Sequence, residues 1–111
     1  METQPGVFVS KASTEEWEPD PDVPGTEMHT LVRADGLWAG RTRYTSANGP
    51  VSWTPDHREV ALILEGSVQI DFADGKKLSL GMGDLFSLPP GVETTWHITA
   101  PFKEMWVLAS D

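Results

Sequence analysis

The chain has 111 residues, 17 acidic and 8 basic, for a formal charge of −9, and it contains no cysteine. That length fits one compact domain, and the missing cysteines exclude disulfides, thiolate nucleophiles and cysteine-held metal centres. The negative charge repels phosphate backbones and anionic lipid, so neither nucleic acid nor a membrane surface is an expected partner.

Met1 to Gly6 offer neither a basic nor an apolar leader, which predicts no signal peptide and a cytoplasmic protein. Residues 1 to 27 carry seven acids and one base, and so −6 of the charge; four of the nine prolines lie here as well. Val7 to Val9 read as a short edge strand and Ser13 to Glu16 as a single helical turn. Pro19 to Gly25 should be an extended loop, because proline fixes its torsion and withholds a donor. From Glu27 onward short β-type runs alternate with turn signals. Strands are expected at Glu27–Arg33, Leu37–Thr45, Glu59–Leu64, Val68–Phe72, Lys77–Leu80, Leu85–Leu88, Thr94–Thr99 and Glu104–Leu108. Between them fall Asp35-Gly36, Asn48-Gly49-Pro50, Glu65-Gly66, Asp74-Gly75, Gly81-Met-Gly83 and Pro89-Pro90-Gly91. Short strands at this spacing predict an all-β sandwich or barrel.

Two segments carry a family resemblance. Glu59-Val-Ala-Leu-Ile-Leu-Glu65-Gly66 has the glutamate, six residues and glycine that end the first cupin motif, and Gly83-Asp84-Leu-Phe-Ser-Leu-Pro89-Pro-Gly91 matches the start of the second. From about Trp53 to Leu108 the chain resembles a cupin, in the branch of ureidoglycine aminohydrolase and the ethanolamine-utilisation cupins. The resemblance implies a single jelly-roll β-barrel over residues 27–111, with residues 1–26 as an acidic, proline-rich N-terminal arm packing on it. It also implies a homodimer, in which an otherwise open sheet edge is buried. Metal-binding cupins place a His-x-His pair just before the motif glutamate and a histidine after Pro-x-Gly. Here those positions fall on Trp53 and Pro55, or Ser52 and Thr54, and then on Thr94; only Glu59 remains of three histidines and one glutamate.

Alternation along strands sorts the candidates. If Glu59 faces inward, His57, Ala61 and Ile63 follow, as does Trp53 if the strand continues back through Pro55. Thr94 inward carries Trp96 and Ile98 with it and turns His97 outward. His57 and Glu59 are therefore candidates for a proton-transfer pair, or for a hydrogen-bonded structural pair. His29 could join them as an unusual divalent-metal site, although no cofactor is predicted. Trp96 and Trp53 are candidate pocket walls, while Trp38 and Trp106 read as core. Trp17 is expected to staple the arm to the barrel or to a partner. Arg41 and Arg43 share one face of their strand; facing inward, they could bind a ligand carboxylate bidentately, and facing outward they would offset the acidic surface. Phosphate-binding glycine loops and serine-nucleophile arrangements are absent from the linear pattern.

Three functions remain open. The first is a cupin that binds, with or without isomerising or otherwise transforming, a small organic molecule without the usual metal set, using His57, Glu59, Thr94, Trp96, Trp53 and Arg43. The second is a metal-dependent, hydrolase-like cupin with unusual ligands. The third is a non-catalytic sensor or assembly module.

Overall fold

Period-two alternation of buried and exposed residues runs through the structure, and it builds strands longer than the turn signals predict. The computed structural model describes residues 1–20, 23, 25–46 and 49–110. The strands are β1 (Glu2–Gln4), β2 (Val7–Phe8), β3 (Glu18–Pro19), β4 (Thr26–Ala34), β5 (Leu37–Tyr44), β6 (Val51–Trp53), β7 (Arg58–Phe72), β8 (Lys77–Gly81), β9 (Leu85–Leu88) and β10 (Thr94–Ala109). Among the described residues no helix is long and apolar enough to cross a membrane. Ser13 to Glu16 form no helical turn. Pro21, Asp22 and Pro24 of the expected loop, and Asn48 of an expected turn, lie outside the described residues.

Two pairs of expected strands are each one continuous strand. β7 runs through Glu65-Gly66, and β10 runs through Ala100-Pro101 with a register break between Thr99 and Lys103. Gly66 bends the strand without ending it: its φ is +80°, and a Cβ there would collide with the Pro101 carbonyl oxygen. Only a residue without a side chain accommodates both conditions. The Asp35-Gly36 hairpin forms as expected between β4 and β5, with positive φ at both residues.

β7 and β10 are long enough to belong to two layers. In one, the second half of β10 lies between β5 and the first half of β7; β4 and β3 extend it beyond β5, and β9 extends it beyond β7. In the other, the first half of β10 pairs with β6 and with the second half of β7, which also pairs with β8. Ala61, Ile63, Val68, Ile70, Ile98 and Phe102 fill the core. Phe86 of the first layer meets Trp96 of the second edge-to-face, ring centroids 5.7 Å apart. Each buried Ile, Val or Phe side chain contributes roughly 1.5–3 kcal/mol.

The all-β layering agrees with expectation, but the expected closed barrel does not. Among the described residues β3, β6, β8 and β9 each pair on one side only, so no ring of hydrogen bonds closes there. Among the described residues the edge strands have two to five residues, and the strands shared by the two layers are β7 and β10.

The N-terminal segment lies along the outer face of β4 and β5. β1 and β2 form a small hairpin, β3 adds to the edge of β4, and the Trp17 ring stacks beneath the Arg43 guanidinium at 4.1 Å.

Candidate functional site

The short strand β6 brings Trp53 opposite Thr94 of β10, and Trp53 then reaches across to Glu59 of β7. The Trp53 indole N–H donates to Glu59 Oε1 at 2.7 Å. The Thr94 hydroxyl donates to the Trp53 carbonyl at 2.5 Å and accepts from the Trp96 indole N–H at 2.9 Å. Four candidates thus form one hydrogen-bonded chain, with Glu59, Thr94 and Trp96 all buried and Trp53 half-buried. Burial raises the Glu59 pKa above the usual carboxylate value, and the Trp53 N–H partly opposes that shift. Trp53 is both the group that satisfies Glu59 and the member of the chain nearest solvent.

A second carboxyl shares the interior. Glu104 lies on β10 between Phe102 and Trp106, all three buried. Its Oε2 is fully enclosed and has no hydrogen-bond partner among the described residues. Burial, reinforced by the Glu59 charge, holds the Glu104 carboxyl well above its usual range. Burial and the Glu104 charge also push the Tyr44 hydroxyl up to about 12. Beneath this group the Trp106 indole donates to Thr42 Oγ1 at 2.7 Å. Glu104 is not among the sequence candidates, yet its place is signalled there: it stands two residues before the core residue Trp106, on a strand whose alternate residues face inward.

The other candidates lie elsewhere. His57 is exposed and lines a shallow surface pocket with Trp38, Leu108 and Ser110. The chain bends at Asp56-His57 before β7 begins, so alternation counted back from Glu59 does not reach it. Arg43 faces outward, where its Nε donates to Glu27 Oε1 at 2.9 Å. His29 is buried under the N-terminal segment on that same outer face: Nε2 is 2.7 Å from Ser10 Oγ and Nδ1 is 2.8 Å from the Glu16 carbonyl oxygen. His97 faces outward as expected, against Asp71.

His29, His57 and Glu59 are therefore not assembled as metal ligands. Of the residues before Glu59, Trp53 is the one that meets it, and an indole N–H donates to a carboxylate but has no lone pair for a metal. Among the described residues no group of three or more histidine, aspartate or glutamate side chains is placed to hold a metal ion. The residues present do not fit the three-histidine, one-glutamate centre.

Known structures share this architecture. A protein from Salmonella typhimurium LT2 described as an ethanolamine utilization protein Q superposes with a TM-score of 0.79 at 19% identity, covering 98% of this chain and 90% of its own. An RmlC-like cupin from Shewanella frigidimarina gives 0.75 at 20% identity, over 92% of this chain and 89% of its own. KdgF from Halomonas sp. gives 0.72 at 15% identity, over 86% and 88%. No curated protein matches the sequence. The model of the EutQ-like cupin domain matches residues 43–105, more than half of the sequence, and the chain therefore belongs to the EutQ-like cupin family.

Proposed function

We propose that this chain binds a small organic molecule between its two layers, with an N–H or O–H group of the ligand directed at Glu104 and the indoles of Trp53 and Trp96 beside it. The observation that carries this reading is the enclosed Oε2 of Glu104, which has no partner among the described residues. A buried acceptor without a donor costs about 1–3 kcal/mol, and a ligand donor recovers that loss. Glu59, Thr94, Trp53 and Trp96 supply polar groups at fixed positions within an otherwise apolar interior, the usual make-up of a small-molecule site. Binding in this reading needs no histidine-held metal.

The test is a thermal-shift and tryptophan-fluorescence screen of small amines, amides and polyols against small carboxylates, with and without added divalent metal. Donor-bearing compounds should raise the melting temperature of the wild type in the presence of chelator, and Glu104→Leu should abolish the response. A response that appears only with metal, or only with carboxylates, overturns the reading.

The same reading takes the chain to be a homodimer. Val60, Leu64, Leu85 and Met105 are large apolar residues left 37–68% exposed on the outer face of β7, β9 and β10. Leu62 pairs with Leu85 on one side and Met105 on the other, which makes the apolar surface continuous. A second copy turned about a two-fold axis would cover it with the same residues.

A further inference from the structure

The outer face of β4 and β5 holds a second constellation, remote from the Glu59 chain of hydrogen bonds. His29 Nδ1 faces the Glu16 carbonyl oxygen at 2.8 Å; a carbonyl only accepts, so Nδ1 carries the proton. In the neutral ring Nε2 is then the acceptor, and its partner at 2.7 Å is the hydroxyl of Ser10. Arg41 Nη2 donates to that same Ser10 Oγ at 2.6 Å and is itself fixed by the Ser10 and Lys11 carbonyl oxygens. A hydroxyl bonded to a base, the base oriented through its far nitrogen by a third group, is the arrangement that activates a serine nucleophile. These three side chains line a pocket of about 390 Å³, a small-molecule size, whose other walls include Phe8, Leu31 and Met105.

We infer that this pocket is an acyl-transfer site for small esters with an apolar acyl chain, Ser10 being the nucleophile and His29 the general base. Ser10 Oγ attacks the ester carbonyl carbon while its proton passes to His29 Nε2, and the carbonyl π pair moves to the oxygen. Arg41 stands beside the reacting oxygen with its positive charge. Collapse of the tetrahedral adduct breaks the ester C–O bond, and the departing alcohol takes the proton from Nε2. Water then attacks the acyl-Ser10 ester, gives a proton to Nε2, and expels Ser10, which recovers that proton. The products are one alcohol and one carboxylic acid. The linear sequence hides this site because Ser10 and His29 are 19 residues apart and meet only when the N-terminal segment folds over β4.

The absence of cysteine makes a clean test possible, since Ser10→Cys introduces the sole thiol of the chain. Its alkylation by iodoacetamide at neutral pH should be about tenfold or more faster than that of Ser10→Cys/His29→Gln, and faster than that of an exposed control, Ser79→Cys. In parallel, acid-quenched mixtures of the otherwise unmodified protein with p-nitrophenyl butyrate should show a butyryl adduct on Ser10 by peptide mass spectrometry. His29→Gln should slow its formation roughly 100-fold, and Ser10→Ala should abolish it. Equal thiol reactivity in the three cysteine variants overturns the dyad and leaves His29 as a latch for the N-terminal segment. A reactive thiol with no butyryl adduct on Ser10 overturns the ester assignment. The comparison between Ser10→Cys and Ser10→Cys/His29→Gln needs no ester and stays informative if Ser10→Ala loosens the segment.

Discussion

Two buried glutamates make the residue scale sensitive to protons. Glu104, and to a lesser degree Glu59, keep a proton in the folded state at pH values where the unfolded chain has released it. Their contribution to stability is therefore full below the ordinary carboxylate value of 4.5 and is lost as pH rises through the raised folded-state values. The urea midpoint of the wild type should fall as pH rises above the ordinary carboxylate value, through these groups, and Glu104→Gln should flatten that slope. An unchanged slope in Glu104→Gln would mean that Glu104 does not carry the effect. Thr94→Val removes the partner of two groups at once, the Trp53 carbonyl and the Trp96 N–H. It should cost about 1–3 kcal/mol in chemical denaturation and shift the tryptophan emission. Glu59, Thr94, Trp96 and Trp53 were legible in the sequence, because motif spacing located them and alternation turned the first three inward. Alternation would also have given Glu104. It failed for His57, because a strand rule does not survive the bend at Asp56-His57.

At the scale of elements, the two bent strands are the parts that the sequence did not disclose. Glu65-Gly66 reads as a turn because glycine at positive φ is ordinary turn chemistry, and nothing local says that pairing resumes beyond it. The difference lies in the neighbours: Gly66 has the Pro101 and Thr99 carbonyl oxygens where a Cβ would go, whereas Gly75, also at positive φ, has nothing within 4 Å. Gly75→Ala should thus lose only what backbone conformation demands, about 1 kcal/mol, and Gly66→Ala distinctly more. Denaturation of the two variants side by side checks this, and equal losses would deny the close approach of β7 to β10. The strands β5 and β9 were legible nearly to the residue, since Asp35-Gly36 does lead into β5 and Pro89-Pro90-Gly91 does follow β9.

For the whole molecule, the apolar outer face of β7, β9 and β10 predicts the state of association. Light scattering should give a dimer for the wild type, and Leu85→Glu/Met105→Glu should shift it to monomer without loss of β-sheet circular dichroism. A monomeric wild type at high micromolar concentration would refute the pairing. All-β character and family were legible from two short motifs and the rhythm of turns. The open edges were not, because closure depends on pairing between strands distant in the chain. That distance also governs how the molecule comes together. β10 is paired with β5, β6 and β7, and its partners in β7 run from Phe72, opposite Thr94, back to Arg58, opposite Ala109. Neither layer is complete until the last strand docks, because β10 lies between β5 and β7 in one layer and between β6 and β7 in the other. Refolding should be a single slow, topology-limited event, in which the amide protons of β7 and β10 gain protection together.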